Sequence, residues 1–282
     1  MRVPRATVFG LLGPNGAGKS TLIEAVTGIL RPASGSVRVM GFDVRRDGRR
    51  ARALIGVLPQ ETALYDELSA AQNLRFAAAL YGVENAGARI DAVLELVGLS
   101  ARRDDPVRSF SGGMQRRLAI ARSMVHSPEL LILDEPTLGV DIEARHHIWM
   151  EIRALRAQGR TVILTTNYLD EAEALCDEIA ILREGTLVAQ DTPEALTADL
   201  GRCLDLECAP EAARALAPTL LAKPGVKRSE ESPSGLTLYL AAEADPDALV
   251  RDAMAATPLA GFKLRAPDLA ELIRLLPPRP AR

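Results

Sequence analysis

Apolar positions along this chain fall into two patterns. Short runs without polar alternation occur at TVFGLL (7–12), LLILDEP (130–136) and TVILTTN (161–167). Each is too short for a helix and is bounded by polar residues, which suits strands buried in the centre of a parallel sheet. Other stretches repeat with helical spacing. STLIEAVTGI (20–29) follows a glycine-rich turn, and a mostly helical stretch extends from about 66 to 127. Within it Ile90, Val93, Leu94 and Val97 stand at i, i+3, i+4 and i+7, with Gly98 where a C-terminal cap belongs. SGSVRVMGFDV (34–44) alternates like a β hairpin, and IAILREGTLVAQD (179–191) reads as a closing hairpin around Glu184-Gly185.

After Pro193 the character changes. CLDLEC, EAARALAPTLL, VKRSEE, LTLYLA, DALVRDAMAA, FKLRA and LAELIRLL read as strand, helix, strand, strand, helix, strand and helix. That order resembles the split βαβ arrangement of ferredoxin-like modules. Two domains are therefore expected: residues 1–193, with a helical subdomain at about 66–127, and a small accessory α+β domain at 194–282. The tail PPRPAR reads as frayed.

Composition narrows the class. The apolar fraction of 48 % supports a real core, and the net charge of -3 leaves no global basic footprint for nucleic acid. No apolar run approaches the roughly 18–20 residues that cross a bilayer, and MRVPRATVFG lacks the apolar core of a signal peptide. A cytoplasmic location is expected. Three cysteines without a CxxC pair read as buried or free thiols in a reducing compartment.

The strongest chemical signal is GPNGAGKST: Gly13, Pro14, Asn15, Gly16, Ala17, Gly18, Lys19, Ser20 and Thr21. It fits G-x-x-x-x-G-K-[ST] and lies between an expected strand and an expected helix, the context a phosphate-binding loop requires. Glycines let backbone N–H groups turn inward around an anion, and the helix start adds the positive end of its dipole. Lys19 can reach the β- and γ-phosphates, and the Ser20 hydroxyl can bind Mg²⁺. LLILDEP supplies the carboxylates that such a loop needs. Asp134 can hold the metal and Glu135, one residue on, can polarise a water as general base. An exposed Asp-Glu pair alone says little; beside a phosphate loop it says much.

SFSGGMQRRLAIARSMV is a second helix start built for anions, with Ser111 as N-cap and Gly112-Gly113 allowing close approach. One nucleotide does not obviously need two such ends from one chain. Two copies related by a two-fold axis would use both, each offering Ser111 to the nucleotide held by the other.

Taken together, Gly13–Thr21, Gln60 in GVLPQE, SFSGGMQ, LLILDEPTLGVD and TTNYLDEA stand in the order and at about the spacing of an ABC transporter ATP-binding subunit. The resemblance covers roughly residues 7–193. FGLLGPNGAGKST and LTTNYLDEA look most like the branch serving drug, antibiotic or polysaccharide exporters, and the C-terminal module resembles an extension found there. The resemblance implies an α/β P-loop NTPase core with a helical subdomain, plus the ferredoxin-like module. It implies ATP and Mg²⁺ as cofactors, with Ser20 and Asp134 at the metal and Gln60 catalytic, touching Mg²⁺ or the lytic water and reporting nucleotide state to the membrane subunit. It implies that Ser111, Gly112, Gly113, Met114 and Gln115 meet nucleotide in trans, and that Asp141 contacts the opposite subunit. The implied partners are an integral-membrane permease and a second ATP-binding subunit, with a homodimer as the expected form and no nucleic acid. The implied location is peripheral, on the inner face of the cell membrane.

Two departures stand out. Asn167 occupies the position where the family usually places a His that contacts the γ-phosphate and orients water. An amide can still donate a hydrogen bond but carries no proton or charge, so hydrolysis is expected to be retained and slowed; the bland alternative is a helix-capping Asn. Only twelve residues precede Gly13, where the family normally has antiparallel strands with an aromatic that stacks on adenine. Either the gene start is misplaced or adenine lacks its usual platform, and weaker ATP affinity is the expectation.

Rival readings are a non-transport ABC ATPase and a degenerate binding subunit that pairs with an active partner. Asn167 and the short N-terminus favour the second, while Lys19, Asp134, Glu135 and the intact SGG argue against it. His146-His147 read as solvated or packing. DVRRDGRRARAL (43–54) reads as a solvated basic face with acidic lipid as the alternative, and Tyr65 and Leu68 as core packing or a permease groove.

Overall fold

Residues 1–275 are described in the computed structural model. Leu276 and the tail PPRPAR lie outside them. The chain divides into two units, Met1–Thr192 and Pro193 onward.

The first unit runs β1 (Val8–Leu12), α1 (Lys19–Thr27), β2 (Arg38–Val39), β3 (Phe42–Asp43), α2 (Gly48–Ala53), β4 (Ile55–Leu58), α3 (Ala70–Tyr81), α4 (Ala86–Leu96), α5 (Gly112–Met124), β5 (Leu130–Asp134), α6 (Ile142–Ala157), β6 (Thr161–Thr165), α7 (Leu169–Leu175), β7 (Glu178–Arg183) and β8 (Thr186–Asp191). Its six-stranded sheet has the order β4-β5-β6-β1-β7-β8. Every pairing is parallel except that of β7 with β8, the closing hairpin. β1 and β6 are buried along their whole length, which accounts for their unbroken apolar runs.

Alternation within those runs sorts side chains by face. Phe9, Leu11, Ile132 and Ile163 join Val26 of α1 and Val39 and Val44 around the β2–β3 hairpin in one core cluster. Each large apolar side chain so buried contributes about 1.5–3 kcal/mol. α6 packs on β1 and β6. α1 stops two residues short of the expected end. Gly28 takes a left-handed conformation, φ 79°, as its C-cap. The short helix α2 was not expected from the apolar pattern.

The expected helical stretch contains α3, α4 and α5. Ile90, Val93, Leu94 and Val97 are all buried, and Gly98 turns the chain at φ 64°. Ser69 and Gln72 form a capping box on α3.

The second unit runs α8 (Pro193–Ala198), β9 (Arg202–Glu207), α9 (Pro210–Leu221), β10 (Val226–Ser232), β11 (Gly235–Leu240), α10 (Pro246–Ala256), β12 (Gly261–Arg265) and α11 (Leu269–Leu275). Its four strands are all antiparallel, in the order β10-β11-β9-β12. From β9 to β12 the elements follow the βαββαβ order of a split βαβ. Leu204, Leu206, Leu236 and Leu238 pack with Leu216 and Leu220 of α9 and Leu249 and Val250 of α10. No helix among the described residues is long and apolar enough to cross a membrane.

Candidate functional site

Parallel pairing in register brings four chain segments out of the sheet at one edge. Leu11 and Asp134 both lie beside Thr165. β1 therefore delivers Gly13, β5 delivers Asp134 and Glu135, and β6 delivers Asn167 to neighbouring positions, with Gln60 following β4. The carboxyl edge of a parallel sheet is where such folds place ligands. Gly16 to Thr21, Gln60, Asp134, Glu135 and Asn167 line one cavity of about 530 Å³, together with Pro14, Asn15 and Leu138.

The loop's glycines are there for geometric reasons. A Cβ on Gly13 would strike the Leu182 carbonyl. Gly18, at φ 100°, is the N-cap of α1 and supplies no side-chain acceptor, so the first-turn amides stay available to an anion. Lys19 is buried. Its Nζ donates to the carbonyls of Gly13 (2.5 Å) and Pro14 (3.4 Å) and to Asn167 Oδ1 (3.3 Å). No carboxylate pairs with it among the described residues, so the charge lies over the loop without a neutralising partner.

Asn167 then donates through Nδ2 to Glu135 Oε1 at 2.6 Å. Lys19, Asn167 and Glu135 thus form one line of hydrogen bonds. Asn167 caps no helix: the N-cap of α7 is Tyr168, whose N–H goes to Thr166 Oγ1. Glu135 has a left-handed backbone, φ 48°, and its N–H is held by both the carbonyl and Oγ1 of Thr165. The Thr165 hydroxyl donates to Asp134 Oδ1, aligning that carboxylate.

Several of these partners were not expected from the sequence. Thr165 acts through its register with Asp134, which only the sheet order reveals. Glu171 is buried and accepts from Thr137 Oγ1 and Trp149 Nε1, both at 2.9 Å, and so fixes the turn after Glu135. Burial pushes its carboxyl up, against these hydrogen bonds. Arg116, which the sequence does not single out, is buried among backbone carbonyls. Its sequence signal is its place on the buried stripe of α5, with Gly113, Ile120 and Ser123.

The tip of α5 is formed as expected, with Ser111 as N-cap accepting from the Met114 amide at 3.3 Å. Its two glycines differ. Gly112 is exposed, with open space where a Cβ would sit. Gly113 is buried, and a Cβ there would come within 2.8 Å of Ala144 on α6. Gly113 therefore serves close helix packing as well as any ligand. Gln115 is half-buried, as is Met114. Asp141 is exposed and caps α6, accepting from the Ala144 amide at 2.8 Å.

A metal–triphosphate fits this donor set. Ser20, Gln60 and Asp134 offer the hard oxygen ligands that Mg²⁺ prefers. Among the described residues no cluster of three or more His, Cys, Asp or Glu could hold a metal alone. The cation would need phosphate oxygens to complete its shell. A second cavity, lined by Arg31, Arg45, Arg49 and Arg52, has no carboxylate, thiol or hydroxyl on its wall.

Comparison with known proteins agrees with this geometry. The family model described as ABC transporter matches residues 1–138. A linearmycin resistance ATP-binding protein of Bacillus subtilis (strain 168) is 45 % identical over 68 % of this chain, and the match spans 63 % of that protein. A Nod factor export ATP-binding protein I of Ralstonia nicotianae is 41 % identical over 88 % of this chain and 76 % of that protein. The solved cbiO1 of Clostridium perfringens, part of the ABC transporter complex cbiONQ, superposes with a TM-score of 0.65. It is 31 % identical and the match covers 71 % of this chain and 82 % of that one. The chain belongs to the ATP-binding proteins of ABC transporters.

Proposed function

We propose that this chain binds and hydrolyses Mg-ATP to energise an exporter whose membrane-spanning permease is a separate protein. The observation that carries the reading is the hydrogen-bonded line from Lys19 through Asn167 to Glu135, at the mouth of a loop built for phosphates. Lys19 exchanges its carbonyl partners for the β- and γ-phosphate oxygens. Ser20, Asp134 and Gln60 would hold Mg²⁺, which would neutralise charge developing on the phosphates. Glu135 accepts the proton of the attacking water at its carboxylate, and Asn167 fixes that carboxylate and the water's approach. Ser111 and the first amides of α5 supply the remaining donors from a second copy, closing the nucleotide between two chains. Exposed Leu138 on the cavity wall and exposed Ile142 at the start of α6 suit such a contact.

The export branch rests on the relatives named for resistance and export. The permease contact would form just beyond Gln60. There Tyr65 and Phe76 meet edge to face at 5.3 Å and both are exposed, as is Leu80. Asn73, buried on α3, holds this loop through the amide and carbonyl of Tyr65. These apolar side chains, on α3 and on the loop that Asn73 holds to it, suit a helix from the permease. Position against the inner face of the membrane follows from that partner.

Phosphate release by the full chain tests the reading. Wild type should turn over Mg-ATP, and Lys19→Ala should neither bind nor hydrolyse it. Nucleotide binding without any turnover, alone and with its permease, would instead make this a regulatory binding subunit.

A further inference from the structure

Arg116 lies on α5, just over one turn from the Ser111 tip, and only 3 % of it is exposed. An arginine has five N–H donors in a rigid planar fork. Here every one has a backbone carbonyl. Nε donates to Pro136 (2.9 Å), Nη1 to Pro59 (3.0 Å) and Gln60 (2.9 Å), and Nη2 to Asp134 (2.6 Å) and Glu135 (2.7 Å). No carboxylate forms an ion pair with it among the described residues. Two loops that are 74 residues or more apart in sequence are therefore held by one side chain. One carries Gln60; the other carries the metal carboxylate and the base.

The placement is not generic packing. Glu135 has a positive φ, and its backbone is fixed at both ends, by Thr165 at the N–H and by Arg116 at the carbonyl. Among the described residues Arg116 makes no hydrogen bond to the phosphate loop or to a side chain of the cavity. Its effect passes through the backbone of Gln60, Asp134 and Glu135 and through its charge near the Asp134 and Glu135 carboxylates. The helix that carries it is also the one whose tip is aimed at a second copy's nucleotide.

We propose that Arg116 is a positioning residue for hydrolysis. It clamps the Gln60 loop to the Asp134–Pro136 turn and ties both to the helix that reaches across the dimer. This rests on the ATPase reading above. Arg116 has no part in holding nucleotide on the Lys19 loop, so its loss should divide binding from turnover. Misplacing a catalytic group by about 1 Å can cost up to about 100-fold in rate.

The test compares the full-length wild type with Arg116→Met and Arg116→Lys, measuring Kd for a fluorescent ATP analogue, KM, kcat and thermal midpoint. Arg116→Met should lose about ten-fold or more in kcat, with Kd and KM within about three-fold of wild type. Arg116→Lys keeps the charge and three donors, so it should recover part of the rate. The proposal is overturned if both variants turn over within two-fold of wild type. It is equally overturned if the loss appears in Kd and KM with kcat unchanged. Failure of both variants to fold would show a residue that merely holds the fold, which also contradicts it. An inactive wild type would instead count against the ATPase reading.

Discussion

Asn167 and Glu135 share a 2.6 Å hydrogen bond in which the amide donates to the carboxylate, while the amide oxygen of Asn167 faces the Lys19 ammonium at 3.3 Å. An uncharged amide here donates to a carboxylate and accepts from an ammonium at once. It carries no proton to the reaction. In the proposed mechanism its contribution is to hold the base, and that sets the size of the effect expected on removing it.

Asn167→Ala should lower kcat about ten-fold, the equivalent of one hydrogen bond of about 1.4 kcal/mol, and leave nucleotide affinity nearly unchanged. Asn167→His, which restores a charged donor, should match or exceed wild type. Steady-state phosphate release decides this. An Asn167→Ala variant as fast as wild type would make the residue a bystander.

Glu151 on α6 makes the first unit sensitive to pH. Burial pushes its carboxyl up to about 8, against the opposing charge of Arg117. Between the ordinary carboxylate value and about 8, the folded chain holds a proton that the unfolded chain has released. Stability from this group is therefore complete below about pH 4.5 and is lost as pH rises toward 8. Glu151→Gln should remove that part of the slope, so its advantage over wild type should grow from pH 5 to pH 8, to roughly a few kcal/mol. Denaturant titrations at both pH values check it; an advantage that is flat with pH would be contrary.

Arg265 organises one face of the second unit's sheet. It bonds Asp205 at 2.6 Å and Glu271 at 2.7 Å, and the Glu271 side chain is only 3 % exposed. Burial works against the Glu271 charge, but the Arg265 hydrogen bonds and the Asp268 amide outweigh it and hold that carboxyl below its usual value. Arg265→Met would strand a buried charge, at a cost of about 3–5 kcal/mol. Adding Glu271→Gln should recover much of it. Unfolding of Arg265→Met at the wild-type denaturant midpoint would refute this.

The phosphate loop, the carboxylate pair and the strands behind them were legible because each is a local pattern: an unbroken apolar run, then chemistry at its end. The elements of βαββαβ in the second unit were legible for the same reason. What escaped depends on contacts distant in sequence. Arg116 shows its role only once the loops it clamps are seen. Thr165 gains its role from lying beside Asp134, a register that no run of residues encodes locally. Gly113 looks like a ligand position and is also where two helices touch, at Ala144. Short helices such as α2 and α8 carry too few turns for a periodic signal.

One measurement reaches the centre of the mechanism. In Glu135→Gln the proposed proton acceptor is gone but the Lys19 loop and the Ser111 tip remain. Light scattering of that variant with and without Mg-ATP, alone and with its permease, should show nucleotide drawing two chains together, and Ser111→Arg added to it should keep them apart. If the variant binds Mg-ATP yet remains single in both settings, a nucleotide shared between two copies is the wrong picture.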